Sequence, residues 1–234
     1  MLLLATFECI FYCLNCVILL ELLYVHDIGG GMTIHMFGAY FGLAATYFFQ
    51  PKKAIADVEG RNGGTYNSQL IAMIGTIFLW MYWPSFNAVL AYGMAQQRAV
   101  VNTLFSITAS ALTAVYISRV IKGKIDMEVL LNSTLAGGVM MGTAADIIVG
   151  PGFCMIAGAC AGAISAFGYL KLNQIFKDKL NLHDTCGVHF LHAIPGTLGA
   201  FVCVIAVAAA DYNFENDMQV SATLLGVSKK GRTT

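Results

Sequence analysis

Two histidines in matching surroundings are the side chains of this sequence best placed to do chemistry. Asp27-Ile-Gly-Gly30-Gly-Met-Thr-Ile-His35 is followed by Gly42, and Asp184-Thr-Cys-Gly187-Val-His-Phe-Leu-His192 is followed by Gly199. The pattern Asp-x2-Gly-x4-His-x6-Gly therefore occurs twice. No other His, Asp, Glu, Lys or Arg lies between Asp27 and Lys52, so His35 is alone in an apolar run. An ionisable group in such a run is costly and usually functional. A neutral imidazole offers one donor and one acceptor nitrogen. A facing pair can therefore share one proton and still offer further sites to a small polar solute. Zinc is the rival ligand, but two histidines without a supporting thiolate or carboxylate at the same depth give too few ligands. His189, one turn before His192, has no counterpart in the first copy and reads as packing.

Asp27 and Asp184 each precede an apolar segment. A carboxylate there can accept the free N–H groups of a helix start and favour its dipole. It can equally draw a cation towards a pore, and the sequence leaves both readings open. Cys9, Cys13 and Cys16 are spaced like the cluster ligands of radical enzymes that use S-adenosylmethionine. Such ligands need a loop on which three thiolates converge, whereas these lie on one face of a continuous helical pattern. The remaining cysteines, Cys154, Cys160, Cys186 and Cys203, are also in or beside apolar runs and behave as small hydrophobes. Neither a cofactor nor a metal is expected.

The elements that position these groups must be membrane helices. The 234 residues are 58% hydrophobic and 11% charged, against roughly 25% charged in soluble domains, and the mean hydropathy is +0.71. Thirteen basic and thirteen acidic side chains cannot cover a water-soluble domain of this size. Zero net charge and the lack of a basic face exclude nucleic acid as a partner. The 15 Phe and 10 Tyr, with long aliphatic runs, exclude a disordered chain. The expected fold class is all-α, a polytopic membrane helix bundle with inverted repeats, and the lipid bilayer is its first partner.

A spanning helix needs about 20 apolar residues. Seven stretches qualify: Leu2–Tyr24, Met32–Phe49, Tyr66–Ala95, Ala99–Ser118, Val129–Val149, Gly152–Leu170 and Gly187–Ala210. The third is long enough to call for tilt or a bend near Pro84. Glu8 and the lack of a basic start argue against a signal peptide at the first. Gly137-Gly138 and Gly158–Gly162 are surfaces for close helix approach, expected to look for partners outside these seven helices. Lys52, Lys53, Arg61, Arg119, Lys122, Lys124, Lys171, Lys177 and Lys179 fall in alternate loops, against Arg98 alone in the others. This alternation puts the N-terminus in the cytoplasm. The two repeats then run in opposite directions through the membrane, the device by which many transporters build a site near the midplane. Asp211, Glu215 and Asp217 open a tail that ends in Lys229, Lys230 and Arg232, a basic end that is odd outside a membrane and points to a further span.

Four runs carry a family resemblance: Asp27 to Leu43, Ala72 to Asn87 (AMIGTIFLWMYWPSFN), Leu135 to Ala145 (LAGGVMMGTAA) and Asp184 to His192. Through them the chain resembles the Rh glycoprotein branch of the ammonium transporter family over residues 1–210. Residues 211–234 form a tail without that resemblance. The resemblance implies a channel or transporter for ammonium or ammonia and not an enzyme. It further implies an apolar pore lined by His35 and His192, a gate phenylalanine at Phe86 and a pore-side Trp83. Asp27 and Asp184 complete the expected set of substrate-site residues. It also implies a homotrimer, or a heterotrimer with other Rh chains, in the plasma membrane, with methylammonium and CO2 as further candidate permeants. Family members have eleven or twelve spans, and this chain corresponds to the fourth through tenth. Gln69 stands where some members carry an acid near the cytoplasmic exit, and Phe190 where Asn is common. The alternative from another class is a non-transporting structural subunit or truncated isoform, a role in which the paired histidines are lost.

The orientation has a direct check. In the membrane-inserted protein, a cysteine placed within Gly93–Gln97 should react with an impermeant thiol reagent applied outside. One placed within Asp57–Asn62 should not. The reverse pattern would overturn the orientation.

Overall fold

A computed structural model describes residues 2–50, 63–148 and 150–209. The loop with Lys52, Lys53 and Arg61 and the tail with its acidic start and basic end lie outside them. The described residues form seven helical rods. These are α1 (Leu2–Leu22), α2 (Gly31–Met36 running into Phe37–Phe49), α3 (Tyr66–Ala88), α4 (Gly93–Lys122), α5 (Met127–Met141), α6 (Pro151–Leu180) and α7 (His189–Ala209). Five of them, α1, α3, α4, α6 and α7, are long and apolar enough to cross a membrane. The protein is an integral membrane protein with an all-α fold.

The rods follow the hydropathy pattern, but their ends are set by local chemistry. The segment expected over Val129–Val149 stops at Met141 and continues as turns through Ile147. Those turns are held from α4, where Asn102 Nδ2 donates to Ala145 O at 2.8 Å and to Ile148 O at 2.6 Å. Tyr66–Ala95 likewise ends at Ala88, with Pro84 inside the helix, and α4 resumes at Gly93. α4 and α6 run beyond the expected Ser118 and Leu170 into the basic loops. Membrane thickness limits only the apolar part of a helix, so hydropathy understates them.

Asp126 ends one of these loops as the N-cap of α5, its Oδ1 accepting from Val129 N at 3.2 Å. Burial opposes ionisation of this carboxyl, but the Lys122 ammonium at 2.5 Å and the amide N–H groups outweigh it, so it lies below the ordinary carboxylate range.

The core lies where α4, α5 and α6 meet, and it is built from small and hydroxyl side chains. Here the structure corrects the expectation for the glycine surfaces. Gly137, Gly138, Gly158 and Gly162 are all buried within the chain. A Cβ on Gly158 would collide with the backbone of Ser106, and one on Gly162 with that of Ser110. Ser106 Oγ donates to Gly137 O at 2.8 Å and Ser110 Oγ to Ser133 O at 2.6 Å. With no hydrophobic effect between helices in lipid, such close backbone contact and hydrogen bonding supply the attraction.

Replacing Gly158 by Leu should therefore separate α4 from α6. We expect a lower thermal midpoint in detergent and loss of monodisperse protein on size-exclusion chromatography, whereas Gly38→Leu, at an open position, should leave both unchanged.

Candidate functional site

The sequence repeat is also a structural repeat. Gly30 and Gly187 occupy the same place in the two motifs, and both adopt the left-handed region, with φ of 72° and 69°. A side chain there is strained, so glycine is required to turn the chain into each following rod. The aspartate three residues earlier then caps the rod. Asp27 Oδ2 accepts from Met32 N at 3.0 Å, Thr33 N at 2.7 Å and Thr33 Oγ1 at 2.8 Å. Asp184 accepts from Val188 N at 3.0 Å and His189 N at 2.8 Å. Both rods open in a wide π-turn, Gly31–Met36 and His189–Ala193, with a histidine inside it. Single π-turns of this kind recur at functional sites, since the extra residue re-aims a side chain.

The rods meet at glycines one helical turn from each histidine. A Cβ on Gly196 would strike the carbonyl oxygen of Gly31. Thr143 is wedged beside this crossing, its Oγ1 2.5 Å from where a Cβ on Gly31 would lie and 2.6 Å from that of Gly199. Gly42, the counterpart of Gly199 in the first motif, faces open space, so the repeat departs from symmetry there.

The crossing brings His35 and His192 together, with ring centroids 5.1 Å apart and planes within 8° of parallel. Trp83 lies beside His35 at 5.3 Å and 13°, and Phe86 reaches the same ring at 5.8 Å and 51°. No hydrogen bond joins the imidazoles; His35 Nε2 and His192 Nδ1 are both buried without a partner among the described residues. The shared proton expected of a facing pair is thus not formed in this structure. The rings stand as two separate groups, each with one buried nitrogen that lacks a partner among the described residues.

Both histidines and Trp83 line a cavity of about 850 Å³. Its walls are mostly apolar, with Ala72, Leu79, Leu135 and Leu191 among them. At the end near the basic loops it becomes polar, with Gln69, Glu128, Asn132, Tyr169 and Cys186. Phe86, 41% exposed, packs on His35 and Trp83 but does not line this cavity. Asp27 and Asp184 do not line it either; both are buried in the caps described above. Phe190 does not line it and is stacked on Phe176 at 5.6 Å. A second cavity, about 670 Å³ between α3, α4 and α5, is lined by no titratable group among the described residues.

Sequence reasoning missed Glu128, Tyr169 and Asn87. Glu128 was hidden because it follows a run of loop charges, although it is the last acid before the next apolar segment. Asn87 Nδ2 donates to Thr103 Oγ1 at 3.1 Å and Gly138 O at 3.0 Å, and its Oδ1 lies against Gly29. It ties α3 to the first motif, and nothing in its spacing announces this. Cys9, Cys13 and Cys16 lie on exposed or partly exposed helix surface in α1.

A family model described as Ammonium Transporter Family matches residues 2–230, past the end of the sequence resemblance noted above. Among curated relatives, the chain is 47% identical over 211 residues to ammonium transporter Rh type C of Xenopus laevis, covering 89% of this chain and 44% of that protein. It is 45% identical over 213 residues to the human Rh type C protein, covering 90% and 44%. The chain thus spans less than half the length of these relatives. Among solved structures, Rh50 of Nitrosomonas europaea superimposes with a TM-score of 0.78 at 30% identity, covering 92% of this chain and 55% of the other. Mep2 of Saccharomyces cerevisiae follows the same fold, with a TM-score of 0.63 at 22% identity over 79% of this chain and 40% of the other.

The left-handed glycines give a test of the motif. Gly187→Ala combines backbone strain of about 1–2 kcal/mol with a clash on the Tyr169 ring, 2.6 Å from the added Cβ. We expect a lower thermal midpoint than for Gly75→Ala, a position with open space, measured side by side in detergent.

Proposed function

The chain belongs to the ammonium transporter family, and from that premise we propose that it conducts ammonia past His35 and His192, ammonium being recruited at the mouths. The observation that carries this reading is the pair of near-parallel imidazoles at the head of an apolar-walled cavity, each with an unpartnered nitrogen. A bare ammonium ion entering such a space loses hydration at a cost of several kcal/mol or more. Neutral ammonia avoids most of that cost, and the free imidazole nitrogens replace the water hydrogen bonds it gives up. The proton is therefore shed before or at the histidines. No bond is otherwise made or broken, so no enzyme chemistry is involved.

Trp83 walls the passage beside His35, and Phe86, packed against both of those rings, narrows the approach. Asp27 and Asp184 act through position: they hold the two π-turns that aim the histidines, and the attraction of cations falls instead to Glu128 in the polar end of the cavity. That end faces the cytoplasm in the orientation given by the basic loops, with the N-terminus of α1 on the same side. The assembly is a homotrimer or an Rh heterotrimer in the plasma membrane, completed by the remaining length of the family fold. Methylammonium fits the same chemistry.

The test is methylammonium uptake into proteoliposomes, with membrane current recorded in parallel. Replacing either histidine by Ala removes one polar stepping stone. Losing such a partner costs about 1–3 kcal/mol, which slows uptake roughly 5- to 150-fold if it falls on the barrier. The double variant loses both groups and should be slower than either single one, though by less than the product of the two effects, because the rings are in contact. Uptake unchanged in both Ala variants would return the histidines to packing and remove the mechanism.

A further inference from the structure

We propose that Tyr169 is a positioning residue for Glu128, and that the hydroxyl–carboxylate pair sets the affinity of the cavity's polar end for small ammonium-type cations. The proposal rests on the transport reading above and deepens it.

Glu128 lies in the first turn of α5 and is the one carboxylate among the described residues that line the cavity; no Lys or Arg lines it there. Left to itself, a glutamate on an exposed helix start rotates into water. Here the Tyr169 hydroxyl lines the same cavity and donates to Glu128 Oε2 at 3.1 Å. The other oxygen, Oε1, abuts Gly64, with Gln69 Nε2 close by. A hydrogen bond to an ionised acceptor is stronger than one between neutral groups, so Tyr169 fixes the carboxylate in the cavity wall.

Tyr169 is itself held at two points. It lies in the π-turn Gly168–Leu172 of α6, and its ring covers Gly187, 2.6 Å from where a Cβ would be built. Gly187 opens the segment that carries His192. One side chain thus fixes the one carboxylate among the described lining residues relative to the segment that carries the second histidine. A merely structural staple would affect stability or overall rate. A positioning role at the mouth should affect the affinity for the cation.

Tyr169→Phe keeps the ring on Gly187 and removes only the hydroxyl. In proteoliposomes it should raise KM for methylammonium presented at this mouth roughly tenfold, the scale of one hydrogen bond to a charged group, with Vmax within about twofold of the unaltered protein. Glu128→Gln should raise KM similarly, and the double variant should be no worse than Glu128→Gln. KM unchanged in Tyr169→Phe, an effect on Vmax alone, or a further rise in the double variant overturns the proposal. If the unaltered protein carries no methylammonium, the transport reading fails. Calorimetric titration of methylammonium into the detergent-solubilised protein then decides on Tyr169 separately: weaker binding in Tyr169→Phe supports it, and equal binding overturns it.

Discussion

The contact between Gly31 and Gly196 is the constraint on which the rest of the site depends. Two rods from the two copies of one motif cross there with no side chain between them, and Thr143 fills the angle. His35 follows the crossing glycine by one turn, and His192 precedes its partner by one turn. The 5.1 Å between the imidazole rings is a consequence of that symmetry. Any side chain at Gly31 or Gly196 would move both histidines, because it would push whole rods and not single groups.

Holding polar groups in an apolar interior requires that the backbone around them be satisfied from within the protein. Each motif does this locally: a left-handed glycine turns the chain, an aspartate accepts the exposed N–H groups, and a π-turn takes up the extra residue. The carboxylates are therefore part of the scaffold of the site, buried beneath the turns they cap. Each imidazole keeps one buried nitrogen without a partner among the described residues, and so do Trp83 Nε1 and Thr143 Oγ1 beside them lack one. Asn87, donating to α4 and α5, keeps α3 and its Trp83 against this frame.

Among the described residues that line the cavity, the one carboxylate, Glu128, lies at one end. Apolar walls separate the histidines from Glu128, Gln69 and Tyr169, so a cation can be stabilised at the mouth without being stabilised in the passage. That separation is what the proposed path requires, with the charged form gathering outside the apolar segment and the neutral form crossing it.

Several of these features were legible in the sequence alone. Hydropathy marked seven helical rods, because the apolar demand of a membrane is written residue by residue. The repeated Asp-Gly-His spacing marked the matched turns, because a capping carboxylate, a left-handed glycine and a re-aimed histidine all act within ten residues of one another. The rod ends were not legible. Asn102 stops α5 from a different helix, and the basic extensions of α4 and α6 lie outside the apolar signal. The partners of the glycines were hidden for the same reason: Gly158 meets Ser106 across more than fifty residues of chain. Glu128 and Tyr169 become neighbours only when α6 folds back beside the start of α5. Local backbone chemistry has a short range along the chain, and a sequence displays it. Close packing between distant helices has no such range, and only the tertiary structure decides it.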